Sequence, residues 1–197
     1  MCAFKNVSDT SSRNEVSSQE LLSIMECDTY SESFLNRSFK SLGKDKVTAK
    51  DILDASAVDV DSRLHAFFAL QFLTEKQSIT TALKFIEQML YLLAQQPKLL
   101  QAAENAISQL GQALNGDSSI NMAKLEAELR ELHAKQSQGR ERLVFEALIR
   151  IFHLEARKMA EAVAGSARAA AAWNEDPAEE QRLKIANQQL DYLRTIA

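Results

Sequence analysis

The feature that most constrains this chain is the run from Ile79 to Leu93, ITTALKFIEQMLYLL. Ile79, Leu83, Ile86, Leu90 and Leu93 recur at steps of four and three, which draws one apolar stripe along a helix. Phe85, Met89, Tyr91 and Leu92 cover most of the remaining circumference, leaving Thr80, Thr81, Lys84, Glu87 and Gln88 as the polar minority. A helix apolar on nearly every side belongs inside a bundle, as a hub on which other helices pack. The run is too short to cross a bilayer, which takes about 20 mostly apolar residues.

The rest of the chain agrees with a helical reading. Only 5 Gly and 2 Pro punctuate the 197 residues, too few for a protein of many short strands. Ala, Leu, Glu, Gln, Lys and Arg dominate the last two thirds, and these residues lose least on entering a helix. The expected fold is all-α: a single compact multi-helix bundle of about six main helices, preceded by short N-terminal helices and a mobile arm. The arm is Ser-rich residues 1–18, and 19–197 form one all-helical domain, with 19–47 as appended short helices. No internal repeat of fixed period is evident, which favours a compact bundle over a solenoid.

Element boundaries follow from caps and turns. Ser17 with Glu20, and Thr48 with Asp51, have capping-box spacing and open short helices at about Ser18–Cys27 and Thr48–Ala55. Tyr30–Leu42 reads as another short helix, stopped by Gly43, and Lys44–Lys50 as a charged connector. Asp59 and Asp61 place negative charge at the start of a helix running to about Leu73, with Leu64, Phe67, Phe68 and Phe72 inside. Pro97 starts a helix that stops at the turn Asn115-Gly116-Asp117. The next helix, from about Ser119, carries Leu125, Leu129 and Leu132, with Glu126–Arg130 and Glu131–Lys135 as i, i+4 ion pairs. The longest helix is expected over Arg140–Trp173, large side chains in its first half and small ones in its second, with a break at Gly165 as the weak point. Asp176 before Pro177 starts the last helix, whose seam is Leu183, Ala186, Leu190 and Leu193.

Chemistry-bearing motifs are absent. None of His65, His133 and His153 follows a Glu by three positions, so no di-metal helix motif forms, and Gly111, Gly116 and Gly139 are isolated rather than gathered in a phosphate loop. Cys2 and Cys27 make neither a disulfide framework nor a zinc site, which fits a reducing, cytoplasmic setting; the first thirty residues carry no apolar core of a secretory signal. Asp61 and His65, four apart, are the one pair that a helix brings together as an acid and a base, and an ordinary surface contact explains them more simply. The net charge of -4 argues against sequence-independent nucleic-acid binding. The densest acidic clusters, Glu126, Glu128 and Glu131, and Glu175, Asp176, Glu179 and Glu180, form either a contact surface for a partner or ordinary solvated and helix-capping faces.

From Thr48 onward the order of elements resembles the helical immunity-protein family of bacterial polymorphic toxin systems. The resemblance rests on TAKDILDA, DSRLHAFF, the hub, QPKLLQAAENA, the turn NGDSS with SINMAKLEAEL, the tract AEAVAGSARAAAAW and the closing NQQLDYLRTI. It departs from the family at His65, where members tend to carry Trp, and over residues 1–47, which have no counterpart. The resemblance implies a non-enzymatic cytoplasmic protein, without cofactor or metal, that silences a cognate toxin by covering its active site or substrate groove. The alternative is a homodimeric helical adaptor joined through the last helix's seam or the small residues near Gly165; an enzyme using Asp61 and His65 stands third.

Overall fold

A computed structural model describes residues 13–25, 45–136, 139–172 and 178–197. The expected helix Tyr30–Leu42, both cysteines, Trp173, Glu175 and Asp176 lie outside the described residues. Among those described, the fold is all-α apart from one ribbon of two three-residue strands. They gather into two compact units, one of residues 13–25, 45–74 and 186–197, the other of residues 75–136, 139–172 and 178–185.

In the first unit, β1 (Glu15–Ser17) leads into α1 (Ser18–Met25), and β2 (Lys46–Thr48) leads into α2 (Ala49–Leu53). The strands pair antiparallel, Glu15 opposite Thr48, Val16 opposite Val47 and Ser17 opposite Lys46. Both valines are buried and the flanking residues exposed, the alternation a one-sided ribbon requires. Three-residue strands are too short to register as a period in the sequence, so this ribbon went unread there: it takes the last residues of the expected arm and the middle of the expected connector. The predicted caps are present. The Ser17 hydroxyl accepts the Glu20 N–H at 3.1 Å, while Thr48 and Asp51 form a full capping box, Asp51 N–H to Thr48 Oγ1 at 3.2 Å and Thr48 N–H to Asp51 Oδ2 at 2.9 Å.

Helix α3 (Val60–Ala69) starts at Asp59, whose carboxylate accepts the Ser62 N–H at 2.9 Å, and packs against α1 and α2. Phe67 stands at its centre, edge-on to Phe68 with ring centroids 5.5 Å apart and stacked on Phe72 at 5.6 Å. Two arginines close the C-terminal end of α2: Arg63 Nη1 and Arg194 Nη2 donate to the Leu53 carbonyl at 2.9 and 3.1 Å. Cations belong there, because the last carbonyls of a helix carry its negative end. Arg194 also meets Asp54 at 2.8 Å and Asp191 at 3.0 Å, so the end of the chain is tied to this unit.

The second unit begins with α4 (Glu75–Glu87), which holds most of the expected hub. Thr80, Lys84 and Glu87 form its one exposed stripe; Ser78, Ile79, Thr81, Ala82, Leu83, Phe85 and Ile86 are buried. The hub is not one straight helix. Met89 donates to the Ile86 carbonyl at 2.9 Å and Leu92 to Met89 at 3.0 Å, tightening the backbone into a 3-10 turn over Leu90–Leu93. A straight continuation would leave part of the apolar ring formed by Met89, Tyr91, Leu92 and Leu93 facing water on every turn; the kink buries Met89, Leu92 and Leu93 and leaves Tyr91 50% exposed.

There follow α5 (Pro97–Leu114), α6 (Met122–Lys135), α7 (Arg140–Arg150), α8 (Ala156–Ala172) and α9 (Ala178–Ile196). The turn after α5 is the predicted one, with Gly116 at a φ of 92°, where a side chain would be strained. Helix α7 packs against α4, the 3-10 turn, α5, α6 and α8, so the second unit centres on it as much as on α4. Val144, Phe145, Ala147 and Leu148, all fully buried, are what let it touch neighbours on several sides.

The long helix expected over Arg140–Trp173 is two helices, and the break falls at Ile151–Glu155 rather than at Gly165. The inner stripe Phe145, Leu148, Phe152 would next carry Glu155 into the core; the chain turns instead, and Glu155 ends exposed beside Lys158 at 3.2 Å. Past the turn, α8 makes the most extensive helix-helix packing of the unit, against α4. Its small residues, Ala160, Ala164, Ala167 and Ala171, are buried at helical spacing, which is how the two backbones come close.

The Thr81 hydroxyl, on a fully buried side chain, has no hydrogen-bond partner among the described residues. Replacing Thr81 with the isosteric Val removes a desolvated hydroxyl, so Thr81→Val is expected to raise the unfolding free energy by about 1 kcal/mol, measured by urea denaturation.

Candidate partner-binding face

Among the described residues, the polar chemistry concentrates on α6 and where it meets α7. Only Leu125 and Leu129 of α6 are buried. Its outer side carries three ion pairs: Glu126–Arg130 at 2.9 Å, Glu131–Lys135 at 2.5 Å and Lys124–Glu128 at 3.7 Å. The first two are the pairs the i, i+4 spacing predicts. Arg130 holds the Glu126 carboxyl below the usual carboxylate range, and Lys135 does the same for Glu131. With Lys124, Arg130 and Lys135 set against Glu126, Glu128 and Glu131, the face is locally balanced in charge rather than acidic.

Sequence spacing did not reveal the cross-helix contacts. His153, in the turn after α7, brings Nε2 to 2.7 Å from Glu126 Oε1 and 2.5 Å from Arg130 Nη2. Carrying a proton, that nitrogen donates to Glu126; without one it accepts from Arg130. Further along the same stripe of α6, Arg142 Nε donates to His133 Nε2 at 2.8 Å. An arginine is always a donor, so His133 must be neutral with its proton on Nδ1. Arg150 then links Glu146 at 2.7 Å to the Ser166 hydroxyl of α8 at 3.4 Å. Apart from Arg150–Glu146, which are four apart on α7, these contacts join residues 9 to 27 positions apart, a separation that leaves no periodic mark.

Burial pushes the His133 pKa down, and the Arg142 charge adds to the shift against an opposing pull from Glu146. With the folded value below the ordinary one near 6.5, the unfolded chain takes up the proton first. Stability from this contact is therefore complete above about pH 6.5 and is lost as pH falls below it. Thermal unfolding of the wild type should drop between pH 7.5 and pH 5.5 by more than that of His133→Gln, which accepts from Arg142 without titrating in this range.

The other expected site residues are dispersed. Glu179 accepts from Arg182 Nη2 and Nε at 2.6 and 2.8 Å, which lowers its carboxyl pKa, and Glu180 is exposed beside it. Asp61 and His65 sit one turn apart on α3, both half-buried. No group of three or more His, Cys, Asp or Glu side chains able to hold a metal ion occurs among the described residues. No described helix is long and apolar enough to cross a membrane. Comparison with protein-family models, curated proteins and solved structures finds no match to this chain.

The two surfaces considered for a homodimer are largely spent inside the chain. Ala186, Leu190 and Leu193 of the last seam are buried, as are the small residues of α8, while Gly165 points away with nothing within 4 Å of where its Cβ would stand.

Proposed function

We propose that this chain is a non-enzymatic protein-binding module, an immunity protein that neutralises a cognate toxin domain by covering its active site or substrate groove. The observation that carries the reading is α6: an outer helix anchored by Leu125 and Leu129 and covered with exposed ion pairs. Such pairs are worth little to folding, about 0 to 1 kcal/mol each, so they are free to exchange partners at an interface. Glu128, held by Lys124 only at 3.7 Å, is the first available carboxylate; Glu131, Glu126 and the Glu179–Glu180 pair follow. Local charge balance favours a partner with alternating charges over one that is uniformly basic. A stable interface of this kind covers about 1,200 to 2,000 Å² in total, with a few central side chains dominating the binding energy. Tyr91 is the exposed aromatic of the kind that serves as such an anchor. The resemblance to immunity proteins supports the same reading.

The test is co-expression with the product of each adjacent reading frame, scored by pull-down and by rescue of growth. The expected result is capture and rescue by the wild type and loss of both with Glu128→Lys combined with Glu131→Lys, at an unchanged melting temperature. Failure of capture and rescue with every adjacent product would sink the reading.

A further inference from the structure

The first unit contains a two-copy pattern. Val16-Ser17-Ser18-Gln19-Glu20-Leu21-Leu22 and Val47-Thr48-Ala49-Lys50-Asp51-Ile52-Leu53 match in kind at every capping and apolar position. Each is a strand running into a capped helix, and Val16 pairs antiparallel with Val47, so a local twofold axis through that pair relates the copies. A buried strand residue followed four positions later by a first-turn carboxylate, in two copies paired through their strands, is also how the second halves of two EF-hand calcium loops meet. In such a loop, oxygens at positions 1, 3, 5, 7 and 9 and a carboxylate at position 12 surround the ion.

The donor set here does not fit calcium. With Glu20 as position 12, position 5 is Arg13, a cation where the ion needs an oxygen ligand; Lys44, which has the matching sequence position in the second copy, lies outside the described residues. Both closing carboxylates are also committed within the chain. Glu20 is paired with the Arg13 guanidinium, and Asp51 Oδ2 accepts from the Thr48 N–H and hydroxyl at 2.9 Å each. The Glu15 carboxylate takes the Lys46 ammonium across the ribbon.

We propose that this paired strand-helix unit is a metal-independent counterpart of a calcium-binding loop pair, in which the Arg13 guanidinium supplies to Glu20 the positive charge that a divalent cation would supply. The unit then holds its arrangement whatever the calcium level, and calcium has no handle on it. Charge bookkeeping at Glu20 makes the idea testable: one cation fills the place, either the arginine or, with the arginine replaced by a carboxylate, a metal.

The experiment compares the full-length wild type, Arg13→Asp and Glu20→Gln by calorimetric titration with calcium chloride and by thermal unfolding in chelator and in millimolar calcium. The wild type is expected to give no binding heat and the same melting temperature in both conditions. In chelator, Arg13→Asp should melt about 2 to 4 °C lower. Calcium should restore it. Glu20→Gln should fall similarly in chelator and gain nothing from calcium, since it lacks the closing carboxylate. Saturable calcium binding by the wild type overturns the proposal. So does an Arg13→Asp variant that melts like the wild type in chelator, or one that calcium leaves unmoved.

Discussion

Truncating Phe85 to alanine is expected to lower the unfolding free energy by about 3 to 5 kcal/mol. Phe85 is fully buried on α4, on a helix that exposes only the Thr80, Lys84 and Glu87 stripe. The removed ring takes its transfer free energy with it and leaves a cavity that close-packed neighbours fill only in part. Urea denaturation should show a lower midpoint with a similar slope. A loss below about 1 kcal/mol would mean that the apolar stretch is not enclosed as described.

The second large effect comes from adding atoms. Ala160 is fully buried on α8, and its N–H lies 3.4 Å from the Ser78 hydroxyl of α4, so the two helices have no room for a larger side chain between them. Ala160→Leu is expected to cost about 1 to 3 kcal/mol by forcing that contact apart. A built-in control sits a turn and a half further along the same helix. Gly165→Ala meets open space and removes a helix-weakening glycine, so it should stabilise by about 0.5 to 1 kcal/mol. Opposite signs from two small-residue positions in one helix, read by the same denaturation assay, separate interface packing from helix propensity. If Ala160→Leu is neutral, the close approach of α4 and α8 is wrong.

The candidate face divides along the same line between local and long-range information. Glu126–Arg130 and Glu131–Lys135 were legible because helical geometry alone brings residues four apart together. His153 with Glu126, and Arg142 with His133, were not, since those contacts depend on where the chain turns back after α6 and after α7. The acidic character expected of the surface also changed on folding: each carboxylate of α6 is matched by a cation on its own helix.

What the sequence determined by itself is local. The helical class, the cap at Ser17, the capping box at Thr48, the start at Pro97, the turn at Asn115-Gly116 and the buried face of α4 all follow from propensity, capping chemistry and period, which act over a few residues. Tertiary structure alone decided where apolar periodicity is interrupted, at Leu90–Leu93 and at Ile151–Glu155, because the choice between a straight helix and a turn depends on which neighbours are there to bury the next side chain. It also decided the pairing of Val16 with Val47, in which two three-residue strands, each too short to be stable alone, become a ribbon only when folding brings them side by side.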